Sequence, residues 1–483
     1  MKSLFWALIG IVIFILILVI PCCPELPNSG KVVMATTVLM AIWWISEALP
    51  MGVTAFLPIV IFPLFGVISV TKITLPYANH NIFLFLGGLI VAQAIQKWNL
   101  HKRIAVFIVN LIGTNPKMII LGFMIATAFL SMWISNTATT LMMLPIGMAI
   151  LASFGENIEK STSFINFSKT LMLGIAYSAS IGGMATLVGT PPNLVFAGMY
   201  QKLFHHQITF SQWLEIGLPV SIFLLATTWL YLVFLGYPFK ELPKDKIKSI
   251  ILKEKESLGK MIYEEKILLI VFILLVFAWI TRSDINFGAF KIPGWANLFE
   301  QGKYIKDSTV SMFFAIILFM IPSKKENGEM LLNWKDINNL PWEVLFLFGG
   351  GFALAEGFSK SGLTHWVGQE LSFVTALSIF LIIIIIVSIL DFLTEFTSNT
   401  ATTTIMLPIL AGIAVTAKID PLLLMVPATL GASCAFMLPV ATPPNAIVMG
   451  SGVLQIKDMV KAGIWLDIFA IIIVSFYLYF FIL

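Results

Sequence analysis

The residues in this chain best suited to hold a small charged solute occur twice. Ser135-Asn136-Thr137-Ala138-Thr139-Thr140 leads into an apolar run ending at Pro145, and Ser398-Asn399-Thr400-Ala401-Thr402-Thr403 leads into one ending at Pro408. A second pair, Thr190-Pro191-Pro192-Asn193 and Thr442-Pro443-Pro444-Asn445, follows each in the same order. All four strings lie in strongly apolar surroundings, where an uncompensated hydroxyl or amide costs on the order of several kcal/mol. Groups kept at that cost either bind one another or bind something that passes through.

A polar turn between two apolar helical arms sets the free carbonyls that end one arm beside the free amide hydrogens that begin the next. Ser, Asn and Thr are the residues that cap such ends. In the other motif, tandem prolines remove two amide donors and push the preceding residue out of helical geometry, so the span breaks there. Thr190 or Thr442 then caps the half-helix that follows, with proline tolerated in its first turn. Amide-bearing ends suit an anion and carbonyl ends suit a small cation. None of the strings contains Arg or Lys. An anion held by neutral groups alone stays under-neutralised, a divalent one more so, and sodium ions bound beside it would supply the charge and couple the two solutes. Ser131 and Thr394, one helical turn before Ser135 and Ser398, are candidate oxygen ligands for those ions.

The surroundings that must position these strings are those of a polytopic membrane protein. Of 483 residues, 59% are hydrophobic and 11% charged, against roughly half and one quarter in a soluble domain. Leu4 to Ile20 is long enough to span a bilayer, and Pro21-Cys22-Cys23-Pro24 is a poor cleavage site, so a retained first span is expected. The formal charge of +4, with lysines in loops, fits positive-inside orientation rather than nucleic-acid binding. Three cysteines imply no disulfide framework. No zinc spacing, P-loop or nucleophile elbow supports a cofactor, ATP-driven transport or a hydrolase.

Hydropathy predicts spans near 4–21, 33–49, 53–69 and 83–97, the last ending in the basic group Lys97, His101, Lys102 and Arg103, which marks a cytoplasmic end. Residues 118–153 have apolar arms too short for a ~30 Å core on either side of Ser135-Asn136-Thr137, and predict a re-entrant hairpin with its apex near the midplane. The stretch from Glu156 to Lys169 is expected in the cytoplasm; the segment 171–201 is expected to be broken at 189–193; a further span runs over about 213–238. Residues 239–266 form a lysine-rich cytoplasmic linker, followed by spans near 266–281 and 307–321 and a basic inner loop with Lys324, Lys325 and Lys335.

The second half repeats the first. Phe346 to Leu363 matches Phe83 to Leu100, with Gly87-Gly88 against Gly350-Gly351 and Gln93 against Glu356, at an offset of 263 positions, the same as between the Ser-Asn-Thr strings. The Thr-Pro-Pro-Asn strings are offset by 252. By span count the first repeat begins outside and the second inside, the inverted topology of a secondary transporter with its site at the repeat interface. The expected division is 1–70, N-terminal spans of a scaffold; 71–238, the first repeat; 239–266, the linker; and 267–483, the second repeat, with a hairpin at 372–415 and a broken span at 441–445.

On these strings, on Gly182-Gly183 leading to Gly189, and on Ser433 to Val448, the sequence resembles the divalent-anion/sodium symporter family over nearly its whole length. The resemblance implies an all-α elevator-type transporter of about eleven spans, two re-entrant hairpins and two unwound spans, assembled as a homodimer. By the same resemblance, Asn136, Thr137, Asn399 and Thr400 touch substrate carboxylates, beside Thr190, Pro191, Thr442 and Pro443 of the unwound spans. Ser131, Ser135 and Asn136 would flank one sodium ion, and Thr394 and Asn399 the other, with carbonyls near Gly189 and Ala441 completing them. Thr400 matches the dicarboxylate pattern, where some citrate-preferring relatives carry Val. The implied substrate is a C4 or C5 dicarboxylate with sodium as coupling ion, in a bacterial cytoplasmic membrane. Related motifs also serve sodium-independent dicarboxylate exchangers, and an anion channel would use the same neutral helix ends.

Asp391 and Glu395 lie one turn apart at a depth where ionisable groups are rare; a structural role, fixing the hairpin to its domain, is expected rather than ion or proton coupling. His205-His206 without further ligands reads as a loop, not a metal site.

Overall fold

The structure, a computed structural model, describes residues 2–20, 25–113, 115–154, 161–240, 242–286, 291–325 and 328–482. Cys22, Cys23 and the run Glu156 to Lys160, which entered the expectations for the first span and its loops, lie outside them. The fold is helical, and the described residues add a two-stranded antiparallel pair, Ile285–Asn286 with Lys291–Ile292, and an isolated bridge between Pro322 and Met330.

Among the described residues five helices are long and apolar enough to cross a membrane, over Asn28–Ser46, Val70–Lys97, Phe210–Gly236, Asn399–Ala417 and Ile456–Phe481. The shorter apolar helices include Pro116–Ser131, Asn136–Ala152 and Ile379–Thr394. At ~1.5 Å per residue, these three span about 24–26 Å, below a ~30 Å hydrocarbon core. Asn399–Ala417 reaches about 28 Å on the same basis, so its length alone does not make it re-entrant.

Several expected boundaries shift, each for a local reason. The run 53–69 is not one span but two short helices, Met51–Thr54 and Leu57–Leu64, because Pro58 has no amide to continue the ladder. The break expected at 189–193 lies upstream: Thr162–Met184 ends, residues 185–190 unwind, and Pro191–Phe204 begins with its prolines in the first turn, where their missing amides are not needed. The break expected at 441–445 likewise falls before the prolines, between Leu422–Gly431 and Pro443–Met449. The hairpin expected from 372 starts instead at Ile379, capped by Ser378, after a 3-10 turn over Ser372–Ala376. The charged linker contains a helix, Lys244–Ser257.

Two helices were not expected, Leu100–Ile112 and Leu363–Glu370. Each follows a residue in the left-handed region, Asn99 at φ 57° and Gly362 at φ 80°, which turns the chain away from the preceding span. Asn99 and Gly362 are also 263 positions apart. The match extends to the caps that open the descending arms, Asn115 accepting from the amide of Lys117 and Ser378 from that of Leu381. It continues at the caps of the ascending arms, Ser135 accepting from Ala138 and Ser398 from Ala401.

Contacts at the helix ends sort into two faces. On one, the Asn81 amide donates to Gln201 at 3.2 Å, the Phe210 amide donates to Asp307 at 2.9 Å, and Arg282 pairs with Asp307. On the other, Lys97 pairs with Asp336 at 2.9 Å, and Arg103 pairs with Glu265 while donating to the carbonyls of Leu258 and Gly259. His80–Lys97 therefore runs from the first face to the second, whereas its match Trp342–Ser361 begins beside Asp336 on the second. Close helix approach depends on the matched glycines: a Cβ on Gly87 would lie 2.6 Å from Ser311 Oγ, and one on Gly350 2.6 Å from the Ala55 carbonyl.

Candidate functional site

Each Ser-Asn-Thr string forms the turn its residue types predict. Met132 to Ser135 join the first pair of arms and Glu395 to Ser398 the second. Behind each turn, a hydroxyl bonds back to the asparagine's carbonyl one helical turn away, Thr140 to Asn136 at 2.8 Å and Thr403 to Asn399 at 2.7 Å. The unwound segments are held by the last residue of each Thr-Pro-Pro-Asn string. The Asn193 amide donates to the carbonyls of Gly183 at 3.1 Å and Thr186 at 2.7 Å; the Asn445 amide donates to those of Ala435 at 3.1 Å and Leu438 at 3.0 Å. All three residues of each set are related by the same 252 positions. Both asparagines are fully buried, and neither role was foreseen, although each residue closed a repeated string.

Every unwound segment is also fastened to the hairpin of its own half. Thr186 Oγ1 donates to the Met132 carbonyl at 2.6 Å. At the matching place, the Glu395 carboxylate accepts from the amides of Met437 at 2.7 Å and Leu438 at 2.8 Å. Glu395 thus fastens the turn of the second hairpin to the unwound segment. The halves cross over as well: Asn136–Ala152 packs on Pro443–Met449, and Asn399–Ala417 packs on Pro191–Phe204. Cys434 Sγ lies 3.8 Å from Met184 Sδ, so the second unwound segment meets the end of the helix that precedes the first.

Around the first turn, Ser131 Oγ lies 2.6 Å from Asn136 Oδ1 and 2.7 Å from the Ala179 carbonyl. One hydroxyl proton serves two acceptors, so the group has more lone pairs than donors, and hard oxygens in that balance suit a small cation. Ala179 was not anticipated, since nothing in sequence marks one carbonyl in a helix. Gly183 shapes this corner: a Cβ there would lie 2.6 Å from Asn136 Oδ1. Gly189 is packed against the Gly183 carbonyl, which a Cβ would approach to 2.5 Å. Ser135 is exposed, with its hydroxyl accepting from Ala138, and is not bonded to Ser131.

The second turn differs. Thr394 is buried and its hydroxyl lies 2.9 Å from the carbonyls of both Leu390 and Asp391, not against Asn399. Among the described residues Asn399 Oδ1 is buried without a hydrogen-bond partner, an acceptor free to face a cation. Ala441 is buried, its amide donating to the Leu438 carbonyl. Asn136, Thr137, Asn399 and Thr400 are half-buried, as is Pro191, while Pro443 is exposed. Thr190 and Thr442 are buried; Thr442 Oγ1 accepts from the Asn445 amide, but Thr190 makes no such cap despite nearly the same backbone angles. No group of three or more His, Cys, Asp or Glu among the described residues is placed to hold a metal ion, and His205 serves as a left-handed helix end.

Gly183→Ala tests the first corner: the added methyl has to displace the Asn136 side chain, and a loss of about 1–3 kcal/mol of stability is expected, read as a lower melting temperature. An unchanged melting temperature would show that the corner has room for the methyl.

Turns and breaks of this kind, buried in an apolar helical bundle, define a multi-pass membrane protein, and solved structures share its fold. The YdaH transporter of Alcanivorax borkumensis matches 92% of this chain and 98% of its own with a TM-score of 0.56 at 11% identity. MtrF of Neisseria gonorrhoeae matches 85% and 83%, also at 0.56, with 13% identity. The family described as sodium:sulfate symporter transmembrane region matches residues 2–482, and the chain belongs to that family. It is 43% identical over 479 residues to the sodium-dependent dicarboxylate transporter SdcS of Staphylococcus saprophyticus, covering 98% of this chain and 90% of the relative. It is 44% identical, with the same coverage, to SdcS of Staphylococcus aureus. These relatives are transporters and not enzymes.

Proposed function

We propose that this chain is a secondary active transporter of C4 and C5 dicarboxylates, such as succinate, malate, fumarate and 2-oxoglutarate, driven by sodium symport across a bacterial cell membrane. The observation that carries the reading is the oxygen-rich, base-free turn at Ser131, Asn136 and Ala179, in a chain similar over nearly its full length to proteins named sodium-dependent dicarboxylate transporters. Sodium at that corner offsets part of the charge of a dianion held by the neighbouring amide ends, so each solute raises the other's affinity. Asn136, Thr137, Asn399 and Thr400 meet the carboxylates, beside Thr190, Pro191, Thr442 and Pro443. Ser131, Asn136 and the Gly189 segment hold one ion, with Ser135 at its open side; Thr394, Asn399 and the Ala441 segment hold the other.

The architecture we infer is an inverted repeat of about eleven spans with two re-entrant hairpins. Its support is the opposite direction of His80–Lys97 and Trp342–Ser361 between the two faces, together with the matched caps and asparagine clamps. Elevator motion in a homodimer is consistent with the hairpins and unwound segments being hydrogen-bonded chiefly to one another.

In liposomes, succinate uptake is expected to require an inward sodium gradient. Uptake that needs only internal dicarboxylate would establish exchange instead, and single-channel currents would establish a channel. Thr400→Val replaces a half-buried hydroxyl by a methyl of the same shape, so it is expected to raise the KM for succinate about tenfold while thermal stability stays within ~1 kcal/mol. An unchanged KM would remove Thr400 from the carboxylate contacts.

A further inference from the structure

The half-helix Pro191–Phe204 ends in two polar contacts with helices outside the hairpins and unwound segments. Gln201 accepts from the Asn81 side-chain amide at 3.2 Å, and Lys202 forms an ion pair with Glu356. Both contacts lie at one face: Asn81 is in the first turn of His80–Lys97, and Glu356 is in the last turns of Trp342–Ser361, which begins at the opposite face. The ion pair is partly shielded, with 33% of the Lys202 and 14% of the Glu356 side chain exposed. One helical turn before it on both helices, a Cβ on Gly198 would lie 2.1 Å from Phe352 Cζ, so the two helices touch directly.

In an inverted repeat, alternating access exchanges the roles of the halves, so a contact at one face has a counterpart, made by matched residues, at the other. The two offsets, 252 and 263 positions, identify those residues. Gly198 and Phe352 correspond to Gly450 and Leu89, again a glycine against a large apolar side chain. Gln201 and Asn81 correspond to Val453 and Val344, and Lys202 and Glu356 to Leu454 and Gln93. The apolar packing therefore has a counterpart, whereas the hydrogen bond and the ion pair have none.

We propose that Lys202–Glu356, with Asn81–Gln201 beside it, is a one-sided latch that favours the arrangement seen here over the opposite one. An interaction made in only one of two states shifts their populations by its own contribution, and the apolar counterparts offer nothing to balance it. The proposal rests on the inverted-repeat, moving-body reading given above. Lys202 and Glu356 act in it as positioning residues, setting where the half-helix rests.

The test reads positions and not transport. Spin labels on His206→Cys, just past the half-helix, and on Lys360→Cys, at the end of Trp342–Ser361, report the separation of the two helices by pulsed dipolar spectroscopy in lipid nanodiscs; both native side chains are exposed. Cys22 and Cys23 are replaced by Ser, and Cys434 is buried. Two distances are expected without sodium or dicarboxylate. Glu356→Gln is expected to lower the population of the present arrangement relative to the other about two- to fivefold, the range of a partly exposed ion pair. Lys202→Glu combined with Glu356→Lys must restore the ratio, which a loss of packing would not allow. If Glu356→Gln fails to fold, Lys202→Gln breaks the same pair from its more exposed side and must give the same shift. Two distances in unchanged proportion after the pair is broken, or no recovery in the reversed pair, overturn the latch and leave the moving-body reading standing. A single distance in the otherwise unsubstituted protein, with and without both solutes, overturns the two together.

Discussion

Asn136→Ala is expected to raise the sodium concentration for half-maximal succinate uptake by about a hundredfold, with little loss of stability. The substitution removes Oδ1, which sits 2.6 Å from Ser131 Oγ at the first turn. A contact from an amide oxygen to a buried ion is worth about 1.5–3 kcal/mol, and ~2.7 kcal/mol corresponds to a hundredfold change in affinity. Stability is spared because the Ser131 hydroxyl still donates to the Ala179 carbonyl, so no buried donor is orphaned. If ion and dianion bind together as proposed, the KM for succinate at fixed sodium should rise in parallel. Sodium titrations of uptake in liposomes, beside thermal unfolding in detergent, check both halves. A melting loss with unchanged sodium dependence would make the turn a packing device and not an ion site.

The opposite pattern is expected at the matching position of the second hairpin. Glu395→Ala leaves the amides of Met437 and Leu438 buried without an acceptor, at about 1–3 kcal/mol each, so destabilisation of about 4 kcal/mol is expected. That is a large part of the net stability of an ordinary folded domain, and the readout is the yield of folded protein and its melting temperature. Thr186→Val, which breaks the single equivalent bond in the first half, is expected to cost only about 1 kcal/mol. Equal losses for the two variants would mean that the fastenings do not carry their unwound segments.

Much of this was legible from residue types, for a specific reason. In an apolar chain, polar strings stand out because each hydroxyl or amide is costly, and Ser, Asn, Thr and Pro have few helical positions that suit them. The turns at Ser135 and Ser398 and the starts at Pro191 and Pro443 fell where the strings placed them, while the unwinding itself began several residues earlier. Proline fixes where a helix resumes, whereas its end depends on what the freed carbonyls find to bond. Here those partners include Asn193 and Asn445, reaching back across the break.

Leu100–Ile112 and Leu363–Glu370 escaped notice because a hydropathy window rewards length and apolarity, and both are short segments with a polar side. The Ala179 carbonyl escaped notice because it is one among many identical groups along its helix.

The sequence by itself determined that the chain is a membrane protein, and it marked the recurring strings where the helices must turn or restart, because composition and local backbone chemistry depend only on neighbouring residues. Only the tertiary structure decided which carbonyls face Ser131, that Thr394 bonds to its own helix instead of Asn399, and that Glu395 fastens one segment to the hairpin turn. Those outcomes depend on packing between elements far apart in the chain, where glycines such as Gly183 set distances to within a single methyl group.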